Sequence, residues 1–141
     1  KINNIRYCSD CFNKGEDADT QYNCEPFYSD DKPLIEPNNS FDLCRFGCSM
    51  YDYFIDNVDE EDDICKKNPI ANLIRKWCLD DKNKNILYKK SGEERYPEFK
   101  LYKMIARNVH NHIPSEEIKN KLFESFKVNS KTLKKVKVVH I

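Results

Sequence analysis

Apolar positions keep a helical rhythm through the middle of this chain and lose it toward both ends. Phe41, Cys44, Cys48, Tyr51 and Ile55 recur at steps of three and four, tracing one face of a helix. Ser40 is the expected N-cap, and Asp42 suits the first turn. A second stripe, Ile70, Leu73, Ile74, Trp77 and Cys78, follows Asn68 as cap and Pro69 at the first helical position. After Pro97, the positions Leu101, Tyr102, Ile105 and Val109 predict a third core face. Pro114-Ser115-Glu116-Glu117 then starts a further helix with Ile118, Leu122, Phe123 and Phe126 inside.

The stretches between are polar. Residues 56–63 read as a solvated acidic linker, and 80–94 as a connection around the short apolar run Ile86-Leu87-Tyr88. Residues 1–39 read as irregular, punctuated by Pro26, Pro33 and Pro37. The tail has two readings. Ser130 caps a last helix holding Leu133 and Val136, or the valines alternate as a strand. Three Gly in 141 residues are too few for a turn-rich sandwich or barrel. The expected fold is therefore mostly α: a small, disulfide-linked helical protein of four to six helices with an irregular N-terminal segment.

Composition supports a folded chain. The hydrophobic fraction is only 39%, but eight Tyr, eight Phe and one Trp supply large aromatic surfaces for a thin core. No apolar run is long enough to span a bilayer.

The net charge of zero hides a dipole. Residues 1–64 hold 5 of the 24 Lys and Arg and 16 of the 24 Asp and Glu, a net of −11. Residues 65–141 hold the other 19 and 8, a net of +11. The cysteines follow the same divide: Cys8, Cys11, Cys24, Cys44, Cys48, Cys65 and Cys78, with none beyond. This predicts an acidic, cross-linked lobe over 1–79 and a basic helical lobe over 80–141, joined in one unit. In the basic lobe, Lys82, Lys84, Lys89, Lys90 and Lys100 are the candidate polyanion-binding residues.

Seven cysteines suit three disulfides and one free thiol in an oxidising compartment, so the expected location is secreted and extracellular. The chain opens at Lys1 without Met, as a mature secreted product would, although a trimmed chain would read the same. Asn38-Asn39-Ser40 makes Asn38 a candidate glycosylation site. Cys44 and Cys48 lie one turn apart on one helix face, so each is expected to bond to a different segment.

Other constellations carry less. A zinc site from Cys8 and Cys11 with Cys24 and Cys44 or Cys48 lacks a second knuckle and leaves Cys65 and Cys78 over. Cys8-Ser9-Asp10-Cys11 lacks the strand and helix of a redox motif. His110 and His112 would diverge on a helix. The acidic run lacks the alternating ligands and central Gly of a calcium loop. Residues 115–137 have the outline of a helix-turn-helix, with Lys131, Lys134, Lys135 and Lys137 on its second helix, but without arginine readers. No phosphate loop or nucleophile elbow occurs, so no catalytic residue, metal or cofactor is expected.

Cys11 with Tyr22-Asn23-Cys24, and Cys48-Ser49-Met50-Tyr51 with Cys65, place a tyrosine between cysteines twice. This resembles the bicycle family of aphid salivary effectors, named for paired Cys-Tyr-Cys motifs. The resemblance covers residues 8–65 and implies a secreted, non-enzymatic insect saliva protein that binds a host macromolecule. Cys44-Arg45-Phe46-Gly47-Cys48, with Cys24 upstream, resembles the odorant-binding-like salivary family. That likeness implies a carrier of small apolar ligands, although the family's later cysteines fall further along than Cys65 and Cys78. A nucleic-acid-binding helix-turn-helix protein is the third expectation.

Overall fold

The computed structural model describes residue 35 and residues 38–128. The expectations for the N-terminal segment with Cys8, Cys11 and Cys24, and for the tail from Ser130, lie outside the described residues. Among these residues the chain is mostly helical, with isolated bridges and no strand. The helices are α1 (Ser40–Phe54), α2 (Glu61–Lys67), α3 (Pro69–Trp77), α4 (Phe99–Asn108) and α5 (Pro114–Glu117). Short 3-10 turns occupy Val58–Glu60 and Lys121–Phe126.

The α1 face forms as its spacing predicts, and Cys44, Cys48 and Tyr51 are buried. Its start differs by one residue. Ser40 is already helical and its N–H donates to Asn38 Oδ1 at 2.9 Å. The Ser40 hydroxyl is thereby released to accept from the His112 N–H at 3.1 Å. Asn68 and Pro69 open α3 as expected, with Asn68 Oδ1 accepting from the Ile70 and Ala71 N–H groups. Ala71 takes the buried place in the first turn, and Ile70 faces solvent.

The acidic stretch is not a bare linker. Asn57 caps the 3-10 turn, and Glu61, Asp62 and Asp63 fill the first turn of α2, with Lys66 and Lys67 in its last. Carboxylates at the N-terminus and ammoniums at the C-terminus both complement the helix dipole, so the same charges that suggested solvation favour a helix. The segment after Pro114 departs the other way. Pro114 does start α5, but the helix stops after four residues and a 3-10 turn replaces it. Leu122 and Phe123 remain half-buried, while Ile118 and Phe126 are exposed. Asn120 breaks the run, its side chain capping the Leu122 N–H at 3.1 Å. Helix α4 begins two residues beyond Pro97, behind Glu98 at φ 55°.

One core cluster takes residues from both halves: Cys44, Tyr51 and Ile55 from α1, Ile74, Trp77 and Cys78 from α3, Ile86, and Ile105 and Val109 at α4. Helix α1 also meets α4 through Arg45, whose guanidinium lies 4.0 Å from the Tyr102 ring centroid and donates to its hydroxyl at 2.8 Å. The tightest approach is between α1 and α3. A Cβ on Gly47 would stand 3.0 Å from Trp77 Cβ and 3.2 Å from Cys78 Sγ. Trp77 in turn donates from Nε1 to Glu117 Oε2 at 3.1 Å, and Lys76 Nζ donates to Glu117 Oε1 at 2.7 Å.

This packing makes two substitutions informative. Gly47→Ala should lower unfolding free energy in a urea titration by about 1–2 kcal/mol, because Trp77 Cβ cannot swing aside; alanine's better helix propensity recovers only part of the loss. Glu117 carries a pH signature. Burial pushes its carboxyl upward, but hydrogen bonds from Lys76 and Trp77 and attraction to Lys76 and His112 outweigh that and hold it below the ordinary range. A carboxyl lowered in the folded state stabilises above its unfolded pKa, and this contribution fades as pH falls through the folded one. Glu117→Gln should therefore cost about 1–3 kcal/mol at pH 7. Denaturation curves of the two proteins should converge as pH drops below about 4.3.

Candidate functional site

The segment from Cys78 to Arg95, expected as a polar connection, is a tandem pair of tight turns. The first is closed by Asp80 N–H to Lys84 O at 2.8 Å and Ile86 N–H to Cys78 O at 2.7 Å. The second repeats it nine residues on, with Lys89 N–H to Glu93 O and Arg95 N–H to Leu87 O, both 2.8 Å. The bridges Leu79–Asn85 and Tyr88–Glu94 keep the same offset. So do the two left-handed residues, Asn83 at φ 57° and Gly92 at φ 80°. Asn and Gly are the residues that take this conformation at least cost, which is why each turn closes where it does. Between the turns, Ile86 is fully buried and pins both to the core.

This geometry throws the charges outward. Lys84, Lys89 and Lys90 are exposed and line one concavity of about 560 Å³ with Arg75 from α3 and Arg95. Asn83, Asn85, Tyr88, Leu79, Val58 and Glu61 complete its wall. Five cations therefore surround a hollow with one carboxylate, and Glu61 is engaged by the Tyr51 hydroxyl at 2.5 Å. Arg75 is held by Asp62 at 2.7 Å and Asn72 at 3.0 Å, and Lys89 by Glu93 at 2.9 Å. The Lys89 ammonium holds the Glu93 carboxyl below its ordinary range. Among the described residues Arg95 has only a loose pairing, 3.9 Å to Asp80, and its buried Nε has no hydrogen-bond partner. Among the described residues Lys84 and Lys90 make no ion pair.

The Tyr88 hydroxyl donates to Asp52 at 2.9 and 3.0 Å, fastening the second turn to α1. Burial first, then this carboxylate, push its phenol up to about 12, so it stays a neutral donor at physiological pH. The base of the first turn is tied to the end of α4. Asp81 accepts from the His110 N–H at 2.8 Å and lies 2.6 Å from its Nδ1, while Asp81 N–H donates to Asn108 O at 2.9 Å. His112 Nε2 reaches Leu79 O at 2.8 Å. Both histidines thus brace the turns from a non-helical segment.

Of the five lysines singled out in the sequence, three line this hollow. Lys82 lines a smaller neighbouring concavity of about 280 Å³ with Asp80, Asp81 and Arg107. Lys100 stands apart on α4, 5.8 Å from the Tyr96 ring centroid. Lysine density alone does not point to Arg75 and Arg95, yet a signal for Arg75 is present: it is a polar position between the stripe residues of α3, facing back over the turns. Asn38 is half-buried, with its amide nitrogen 3.5 Å from Ala106 O. Among the described residues no group of three His, Cys, Asp or Glu is arranged to hold a metal ion, and no helix is long and apolar enough to cross a membrane. Comparison with protein families, curated proteins and solved structures finds no match to the chain.

Chemically, the hollow suits an anionic group entering from solvent, met by ammonium and guanidinium donors. Because Lys84 and Lys90 pair with no carboxylate among the described residues, the double variant Lys84→Ala/Lys90→Ala should change the free energy of thermal unfolding by less than about 0.5 kcal/mol.

Proposed function

We propose that this is a non-enzymatic, secreted effector-type protein that acts by binding a host macromolecule, and that the tandem turns are its binding surface. The supporting observation is the convergence of Lys84, Lys89, Lys90, Arg75 and Arg95 on one hollow, where Glu61 at the start of α2 is the single carboxylate. A partner with closely spaced anionic groups, such as a sulfated polysaccharide, matches this surface: Lys84 and Lys90, which make no ion pair among the described residues, contribute charge without first breaking one. The cysteine content and the lack of a reaction signature in the sequence favour the same reading.

The alternative, a carrier of small apolar ligands, needs space between the faces of α1 and α3. It gains no support from their close approach at Gly47, where a single methyl group would crowd Trp77. A nucleic-acid-binding helix-turn-helix over 115–137 would have its second helix, with Lys131, Lys134, Lys135 and Lys137, outside the described residues, and residues 114–126 form one short helix and a 3-10 turn.

Heparin affinity tests the proposal. The protein should be retained at low salt despite its pI near 7.0 and elute as salt rises. Lys84→Ala/Lys89→Ala/Lys90→Ala should elute distinctly earlier, with a salt dependence shallower by about one unit for each lysine that met a sulfate. Lys100→Ala should elute with the parent. Flow-through of the parent at low salt, or equal weakening by Lys100→Ala, would overturn it.

A further inference from the structure

Three thiols meet where α1 crosses the end of α3, and nothing in the anion-binding reading uses them. Cys44, Cys48 and Cys78 are 0%, 8% and 0% exposed, and among the described residues none is bonded to another cysteine. Cys48 interacts with both of the others, Cys44 on its own helix and Cys78 at the end of α3. We propose that Cys48 and Cys78 are the pair that closes into a disulfide, stapling the middle of α1 to the end of α3, and that Cys44 is not its partner.

The two neighbours of Cys48 are not equivalent. Cys44 is four residues back on the same helix, where Cβ atoms stand about 5–6 Å apart on parallel vectors. A disulfide needs about 3.5–4.5 Å between Cβ atoms with the two side chains converging, which a regular helix does not offer. Cys78 approaches from a different element. It is the C-cap residue of α3, at φ −87° and ψ 4°, where the chain is leaving the helix. Its sulfur lies against α1, 3.2 Å from the place a Cβ on Gly47, the residue before Cys48, would occupy. Glycine at 47 leaves the room that the Cys78 sulfur takes against α1.

The reactivity of the three thiols points the same way. Hydrogen bonds from Cys44 and Cys78 hold the Cys48 thiol below its ordinary range against the opposing effect of burial, with Arg45 adding to the lowering. The corresponding interaction with Cys48, together with burial, raises both neighbours. That ordering belongs to the closed core; once the core opens, either thiol can begin the exchange, and one route runs through Cys48. With a low-molecular-weight disulfide such as oxidised glutathione as oxidant, the Cys48 thiolate attacks one reagent sulfur and releases the other half as a thiolate. Cys78 then gives up its proton and attacks the Cys48 sulfur of the mixed disulfide, releasing the second half, which leaves as a thiol. Two protein thiols are oxidised, one reagent disulfide is reduced to two thiols, and no other electron acceptor is needed. Exchange runs while the core is open, during folding or local opening, since the closed core shields all three sulfurs.

Peptide mapping of the full chain decides the matter independently of any anion binding. The protein is refolded in a reduced–oxidised glutathione buffer, quenched with acid, alkylated in denaturant and digested without reduction. Trypsin cuts after Arg45 and after Lys76, which separates Cys44 from Cys48 and isolates Cys78; a protease cutting at acidic residues within 56–63 separates Cys48 from Cys65. The expected product is a linked pair of peptides carrying Cys48 and Cys78. Cys48 linked to any other cysteine, or Cys48 and Cys78 both alkylated, would overturn the proposal. As a second measurement, reductant should lower the thermal midpoint of Cys44→Ser with the link intact. Disappearance of the link in Cys44→Ser would equally overturn it.

Discussion

The close approach of α1 and α3 at Gly47 sets the position of most of the chain beyond it. Trp77 and Cys78 are adjacent residues, and both press on the same glycine. From Trp77 the indole N–H reaches Glu117 and holds the segment after α4 against α3. From Cys78 the carbonyl accepts Ile86 N–H, which closes the first of the tandem turns. A helix pair that met a fraction of an ångström further apart would move the indole donor and the root of the turns together. Interiors packed at crystal-like density transmit such shifts rather than absorb them.

The helical core is legible in the sequence because its signals are local and agree with one another. Asn68 and Pro69 fix the start of α3 whatever else the chain does, and the stripes of α1 and α4 carry several buried residues each. The departures share a cause as well. At 56–63 the carboxylates read as solvated because nothing apolar accompanies them, yet a helix N-terminus is itself a partner for negative charge. At 114–126 the apolar spacing is correct for a helix, but Asn120 offers the backbone a competing hydrogen bond, and spacing alone does not reveal which one prevails.

The candidate site is half legible. Lysine density marks Lys84, Lys89 and Lys90, but density cannot separate them from Lys82 and Lys100, which the backbone directs elsewhere. The arrangement depends on main-chain closure of two turns, and their sequences share almost nothing. Asp80 and Asp81 stand where the second turn has Lys89 and Lys90, and Lys84 where it has Glu93. Only the need for a left-handed residue is common to both, met by Asn83 in one and Gly92 in the other. The repeat is one of conformation, invisible to any comparison of side chains.

That independence bears on how this surface changes over generations. Each turn is closed by backbone groups, with the Asp80 carboxylate and Asn85 amide oxygens accepting further N–H groups at their bases, and each is rooted in the core by Ile86 and its flanking bonds. Substitutions at the tips of the two turns, outside Asn83 and Gly92, therefore alter what the protein presents to its surroundings while leaving the interior undisturbed. A lineage under pressure to alter its associations is free to rewrite these positions rapidly, reversing charge at one turn and keeping it at the other, and to retain an unaltered scaffold beneath.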